Sequence, residues 1–115
     1  MATRLDFNLD QGATFEHELT WTTSDGTPID LTGFVARMQV REQIGSEVII
    51  FDLTTENSGI ILGGSDGKIT INIPADDSSN AIRTRGVYDL ELVSPEGFVT
   101  RLVQGKVVID PEVTV

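Results

Sequence analysis

Polar and apolar residues alternate along much of this chain, and the alternation is clearest between residues 85 and 110. Three alternate positions there are apolar and the two between them are acidic: Tyr88, Leu90 and Leu92 against Asp89 and Glu91. A period of two residues is typical of a β-strand with one face in the core and the other in solvent. The turn residues at 94–97 then predict a hairpin whose second strand begins at Phe98.

The rest of the chain follows the same plan. Alternation or runs of β-branched residues predict further strands at 4–9, 14–21, 34–41, 48–53, 60–62 and 69–73. Only residues 75–82, with two acids near their start, predict a helix, and it is at most two turns long. About seven to nine short strands with almost no helix predict an all-β sandwich or barrel. The length suits one domain, residues 1–115.

Three local features of the predicted strands bear on packing and assembly. The runs 48–51 and 60–62 are apolar on both faces, which predicts either strands at the centre of the sandwich or a face that meets another subunit. Gly105, a glycine inside a strand, predicts a β-bulge. Residues 111–115 are apolar and β-prone, and they predict a terminal arm that frays or adds a strand to a neighbour's sheet edge.

The charge of the chain is strongly negative. Eighteen acidic residues against eight basic ones give a net charge of −10, and the acids are spread over the whole length. A field of that sign repels nucleic acid and anionic membrane, so neither is predicted as a partner. Two interpretations of the surface stay open: a solvated, self-repelling shell, or a patch complementary to a basic partner.

Cysteine is absent, which excludes disulfides and cysteine-ligated zinc. Its absence also fits a protein made in a reducing cytoplasm. The N-terminal residues lack a signal-peptide pattern, and no apolar stretch approaches the roughly 20 residues that span a bilayer. A soluble protein is expected.

The single histidine, His17, lies on the same predicted strand face as Phe15 and Trp21. One histidine without cysteine is a poor basis for a zinc site, and no serine or acid stands at a spacing typical of a catalytic triad. A histidine at the edge of the core, bonded to a backbone carbonyl, is expected instead. Asp76 and Asp77 offer oxygen ligands for calcium, but the segment lacks the glycine and the closing glutamate of a calcium loop, so a capped, solvated turn is expected.

Two other patterns resemble sites only in part. The glycine-rich segment 63–68 precedes a predicted strand, whereas a phosphate-binding loop opens a helix, so this function is rejected. Asp89 and Glu91 point outward from one strand, and cross-strand pairing with arginine is favoured over glycosidase chemistry. The arginines on outward rows are Arg37, Arg41 and Arg101. We therefore predict no catalytic residues, no metal site and no cofactor, and the protein is not expected to be an enzyme.

The order of these motifs resembles that of small virion proteins of tailed bacteriophages. The likeness rests on Asp10-Gln11-Gly12-Ala13-Thr14-Phe15, Asp25-Gly26-Thr27-Pro28-Ile29-Asp30-Leu31-Thr32-Gly33, Ala36-Arg37-Met38-Gln39-Val40-Arg41, Gly67-Lys68-Ile69-Thr70-Ile71 and Tyr88-Asp89-Leu90-Glu91-Leu92, with Gly97 and Gly105. More distantly, the chain resembles the immunoglobulin-like N-terminal domain of phage baseplate upper proteins. These are turn and strand motifs, and they cover nearly the whole chain.

The resemblance implies an immunoglobulin-like antiparallel β-sandwich and a structural role in the virion. The expected function is that of a tail, baseplate or neck adaptor that assembles in many copies, with other virion proteins and further copies of itself as partners. Capsid decoration on the phage head is the first alternative. A carbohydrate-binding module is the second, although it needs exposed aromatic residues, and Trp21 and Tyr88 both fall on inward rows.

Overall fold

The computed structural model describes residues 2–113 and places nine strands in two sheets. The strands are β1 (Thr3–Arg4), β2 (Phe7–Asp10), β3 (Phe15–Thr20), β4 (Val35–Arg41), β5 (Ile49–Thr54), β6 (Ile60–Leu62), β7 (Lys68–Ile73), β8 (Arg85–Val93) and β9 (Val99–Asp110). One helix, α1 (Ala75–Ser79), and a 3-10 turn at Gly64–Asp66 complete the described part. The prediction of an all-β fold with one short α-helix within 75–82 is confirmed.

The sheet order identifies the type of sandwich. Sheet A has the order β1-β9-β8-β4-β5, with β2 also paired to β9, and sheet B has the order β3-β7-β6. The sequence β9-β8-β4 facing β3-β7-β6 is the arrangement of an immunoglobulin-like sandwich, and β5 extends the first sheet as in the variable type. The expected immunoglobulin-like fold is therefore present.

The N-terminal strands depart from the antiparallel arrangement that we expected. β1 and β2 both pair with β9 in parallel, whereas every other pair of neighbouring strands is antiparallel. Parallel neighbours need a long connection between them. Here the first and last strands of the domain are the neighbours, so the rest of the sandwich provides that connection.

The core lies between the inward faces of the two sheets. β8 contributes the predicted row Tyr88, Leu90 and Leu92, and all three side chains are buried. The alternate residues of β2, β4 and β9 extend this layer within sheet A. The opposing layer in sheet B is the isoleucine row of β7, joined by Ile60 of β6. Burying each such aliphatic side chain contributes roughly 1.5–3 kcal/mol, so this double row is the main source of stability.

The bulge in the C-terminal hairpin is not at Gly105, contrary to our prediction. The register passes from Leu90–Val103 to Glu91–Arg101, which leaves Leu102 as the additional residue. Gly105 lies in regular register opposite Tyr88. The glycine has another function, because a Cβ at position 105 would collide with the carbonyl oxygen of Leu5.

The runs 48–51 and 60–62, which are apolar on both faces, lie at sheet edges. The interpretation that they are central strands is therefore wrong. β5 is the edge of sheet A and β6 is an edge of sheet B. In β5 the register skips Ile50, and this bulge leaves Ile50 and its neighbour Phe51 both buried. β6 is short, with Ile60 buried and Ile61 exposed. Bulges and short strands are the features that protect sheet edges from pairing with another chain.

The short helix is attached to the sandwich by one buried polar side chain. Ser78 is fully buried, and its Oγ accepts a hydrogen bond from the backbone N–H of Gly12 at 3.0 Å. The same hydroxyl lies 2.9 Å from the carbonyl oxygen of Ala13 and 3.1 Å from that of Ala75. Ser78 therefore connects α1 to the turn between β2 and β3. No helix in the described part is long and apolar enough to cross a membrane.

Candidate interaction surface

The outward face of sheet A concentrates the positive charge of an acidic chain. Six of the eight lysine and arginine residues lie on strands of this sheet: Arg4, Arg37, Arg41, Arg85, Arg101 and Lys106. The strand register sets their neighbours on the surface. We call this surface the GFC face, because β9, β8 and β4 occupy the positions of strands G, F and C in an immunoglobulin-like sandwich.

Two ion pairs cross the middle of the GFC face. Arg37 Nε lies 2.8 Å from Glu91 Oε1, and Arg101 Nε lies 3.4 Å from Asp89 Oδ2. The predicted cross-strand pairing of the two outward acids with arginine is therefore confirmed. Exposed pairs of this kind contribute roughly 0–1 kcal/mol each, so their main effect is to neutralise the centre of the face.

Arg41 differs from the expectation, because its guanidinium bonds to neutral oxygens. Its Nη1 donates to the carbonyl oxygen of Ser46 at 2.6 Å, and its Nη2 and Nε donate to Gln39 Oε1 at 2.7 and 3.2 Å. The side chain is thus fixed between its own strand and the β4–β5 loop. A guanidinium has five N–H donors, so one N–H on each terminal nitrogen is left for another acceptor.

A groove of about 450 Å³ lies beside Arg41 at one end of the GFC face. Its lining includes the four cations Arg4, Arg41, Arg101 and Lys106, the carboxylate of Asp89, and the apolar side chains of Val87 and Ile44. The charged lining sums to +3, while the whole chain carries −10, so the remaining residues sum to −13. We call this feature the basic groove.

Within residues 2–113, two of the groove cations have no carboxylate partner. In residues 2–113, neither Arg41 nor Lys106 forms an ion pair, whereas Arg4 pairs with Asp6 at 3.4 Å and Arg101 with Asp89. Both lie on one cross-strand row with Val87 between them. A strand spacing of about 4.8 Å places their Cα atoms roughly 10 Å apart, on either side of an apolar floor.

The opposite end of the GFC face is apolar. Val35, Val93 and Val99 are aligned across three strands, and Val35 and Val99 are 42% and 48% exposed. Phe98, at the tip of the β8–β9 hairpin, is 75% exposed. Contiguous exposed apolar side chains are typical of a protein–protein contact surface, because the exposure of apolar area to water is unfavourable.

The hairpin tip is held in one turn conformation by hydrogen bonds. Gly97 adopts a φ of 88° and its N–H donates to the carbonyl oxygen of Ser94 at 2.9 Å. Ser94 in turn bonds twice to Phe98, through its N–H at 2.9 Å and its Oγ at 3.0 Å. The exposed side chains of Glu96 and Phe98 are therefore presented on a fixed turn.

His17 packs between phenylalanine rings. Its imidazole stacks on Phe15 with ring centroids 6.3 Å apart and meets the edge of Phe7 at 5.0 Å. The expected position at the edge of the core is confirmed. The expected bond to a backbone carbonyl is absent among the described residues, where the ring is held by aromatic contacts instead.

The other candidate ligands remain separate. Asp76 and Asp77 are exposed in the first turn of α1, and the described residues contain no group of three or more histidine and acidic side chains placed to hold a metal. In segment 63–68, Asp66 Oδ1 accepts the backbone N–H of Lys68 at 3.0 Å. This segment is a closed turn leading into β7.

The two aromatic residues considered for sugar binding are both packed. Trp21 is half-buried against Phe34, with ring centroids 6.2 Å apart and planes at 89°. Tyr88 is 5% exposed and its hydroxyl donates to the carbonyl oxygen of Leu5. Neither ring offers an open face on a sheet.

The C-terminal segment is attached to the domain as far as Glu112. The N–H of Glu112 donates to Gln11 Oε1 at 3.0 Å, and its carboxylate contacts Gly12. Val113 is 97% exposed. The predicted arm at 111–115 is thus held at its start, and residues 114 and 115 lie outside the described part of the chain.

Comparison with known protein families finds none that matches this chain, and comparison with curated proteins finds no significant relative. The surface itself must therefore carry the functional argument. The basic groove was missed from the sequence, because Arg41, Val87 and Lys106 become neighbours only through the pairing of distant strands. The available signal was that Arg41 and Lys106 both occupy outward positions in the alternation of their strands.

Proposed function

We propose that this chain is a structural component of a tailed-bacteriophage virion that acts through protein–protein contacts in a multi-copy assembly. The observation that carries the proposal is the exposed apolar end of the GFC face, with its row Val35, Val93 and Val99 beside Phe98. A surface of this kind is stabilised when another protein covers it.

The motif resemblance supplies the biological setting of the proposal. It favours a tail, baseplate or neck adaptor, made in the host cytoplasm and carried in the particle. The structure supports a contact through the face of sheet A better than one through the edges of β5 and β6, since the bulge at Ile50 and the shortness of β6 oppose strand addition.

Mass spectrometry of purified virions, combined with immunogold labelling, tests the proposal. We expect the chain in gradient-purified particles, in more than one copy, with gold particles on the tail, baseplate or neck. Label on the head surface would instead support the alternative of capsid decoration. Absence of the chain from intact virions, while it is abundant in the infected cell, would refute both.

The carbohydrate-binding alternative is less well supported, because Trp21 and Tyr88 are packed against the protein's own residues. Sugar-binding sheets use exposed aromatic rings to stack on pyranose faces. A glycan array of the purified chain is expected to give no binding above that of a Phe98→Ser variant. Binding that depends on Phe98 would restore this function.

A further inference from the structure

We infer that the β8–β9 hairpin tip of one copy, residues 94–98, docks into the basic groove of a second copy. The inference rests on the multi-copy assembly proposed above and names the two surfaces that meet. Both surfaces belong to the GFC face, at its opposite ends. The groove offers cations and an apolar floor, and the tip offers a carboxylate and an aromatic ring.

The basic groove provides the receptor. Arg41 is held in place by Gln39 and Ser46, and it retains two N–H groups for an incoming carboxylate. Lys106 lies on the same row without a carboxylate partner in residues 2–113. Between them Val87 offers an apolar floor, and the 94%-exposed Ile44 stands at the rim. This surface fits a ligand that combines one carboxylate with one apolar group.

The hairpin tip has that combination. Glu96 and Phe98 are both exposed, and the turn that carries them is fixed by the hydrogen bonds of Ser94 and Gly97. Within the described residues, Glu96 takes part in no ion pair. Because the turn is already ordered, docking costs little conformational entropy. Large aromatic side chains are also typical centres of protein–protein contacts.

The contact has to form between copies. Val93, at the end of β8 next to the tip, and Val87, on the groove floor, are separated by about 20 Å at 3.4 Å per residue. A rigid tip at one end of the strand cannot turn back to a groove at the other end. Since tip and groove are different surfaces, the contact is heterologous, and repetition gives a closed ring or an open filament.

Charge favours this orientation over others. With the groove lining at +3 and the remainder of the chain at −13, most relative orientations of two copies bring acidic surfaces together. Contacts at the groove replace that repulsion with attraction. Salt weakens this discrimination, because the Debye length falls from about 10 Å at 0.1 M to about 3 Å at 1 M.

Sedimentation velocity with two complementary variants tests the inference. The groove variant is Arg41→Gln/Lys106→Gln, and the tip variant is Glu96→Gln/Phe98→Ser. We expect the unmodified chain to form oligomers larger than dimers at about 0.1 M salt, and each variant alone to dissociate with a constant raised at least about tenfold. An equimolar mixture should form dimers and no larger species, because one intact tip and one intact groove then remain per pair.

A matched control removes two cations outside the groove. Arg85→Gln/Lys68→Gln changes the net charge by the same amount as the groove variant, and neither residue lines the groove. We expect its oligomers to dissociate with a constant within about threefold of that of the unmodified chain, since only the overall charge repulsion rises. Since Arg41 also holds the β4–β5 loop, Lys106→Glu serves as a second groove variant in which that loop is untouched.

The inference is overturned if the unmodified chain is monomeric at low salt, or if the groove variant oligomerises like the control. Association that survives in the groove variant but is lost in the tip variant would assign the tip to a different receptor. Binding of a short polyanion such as heparin, competing with oligomers only when the groove is intact, would support the groove as an acceptor for anionic groups. None of these results alters the test of virion location, which depends on purified particles.

Discussion

The hydroxyl of Tyr88 donates a hydrogen bond to the carbonyl oxygen of Leu5 at 2.5 Å, and the two residues are 83 positions apart in the chain. Leu5 lies at the break between β1 and β2, where the side chain of Asp6 accepts the backbone N–H of Lys106 at 2.8 Å. Opposite this break, Gly105 leaves room for the Leu5 carbonyl. Tyr88, Asp6 and Gly105 together fix β1 and the start of β2 against the core and β9.

Tyr88→Phe removes the hydroxyl and keeps the ring that packs at 5.1 Å from Phe7. We expect unfolding in urea to become easier by about 1 to 2 kcal/mol, since the Leu5 carbonyl loses its partner. Relative to the unmodified chain, the variant's amide hydrogen exchange should be accelerated more in β1 than in β7. An unchanged midpoint of unfolding would mean that water replaces the hydroxyl without cost.

The pH dependence of Tyr88 follows from its burial. Removal from solvent, and secondly the nearby Asp6 carboxylate, raise the pKa of the phenol above its ordinary value of 10.0. The folded state then holds the proton more tightly than the unfolded state. Its contribution to stability is complete below about pH 10 and is lost as the pH rises above that value.

Absorbance titration checks this directly, because Tyr88 is the only tyrosine in the chain. We expect the tyrosinate signal to appear together with unfolding, well above pH 10. Tyr88→Phe is the control, and its stability should fall less steeply over the same alkaline range. Ionisation of the native protein near pH 10, with the fold intact, would contradict the assignment.

Gly105→Ala tests the close approach of the Leu5 carbonyl. A methyl group there would overlap that oxygen, so β1 and the start of β2 must shift away from β9. We expect a loss of about 1 to 3 kcal/mol, as for other cases of overpacking. Gln104→Ala, at the adjacent exposed position, is the matched control and should change the stability by less than about 0.5 kcal/mol.

Coupling between the two sites sharpens this test. If Gly105→Ala already displaces Leu5, then adding Tyr88→Phe should cost less than it does alone. A double-mutant cycle measures that difference. Strictly additive effects would indicate that the carbonyl stays in place beside alanine.

Ser78→Ala tests the attachment of α1. The substitution leaves the N–H of Gly12 without its acceptor in a partly buried setting, for which we expect a cost of about 1 to 2 kcal/mol. Ser79→Ala is the natural control, since Ser79 is the exposed neighbour in the same helix. Chemical denaturation compares the two, and equal effects would show that Ser78 acts through helix propensity alone.

Strand positions could be predicted from the sequence wherever alternation was strict. The rows of β8 and of β7 each have one face in the core, so their period of two was visible in the residues themselves. The bulges could not be placed in this way. An additional residue at Ile50 or Leu102 is set by how two strands align, and alignment depends on residues far away in the chain.

The same reason explains what was missed on the surface. Outward positions of Arg37 and Arg101 were predicted, and so was their pairing with acids on β8. The bonds of Arg41 to Gln39 and Ser46 depend on the path of the β4–β5 loop, which no periodic pattern encodes. Net charge also does not show where the charges lie, because it averages a basic groove with an acidic remainder.

The parallel pairing of β1 and β2 with β9 also determines how the domain responds to force. All three strands run in the same direction, so tension between residues 3 and 110 pulls the first strands one way and β9 the other. The hydrogen bonds between them are then loaded in shear and have to break together. An antiparallel pair pulled from its open end would instead separate one bond at a time. The departure from an antiparallel sandwich is therefore the element that resists stretching.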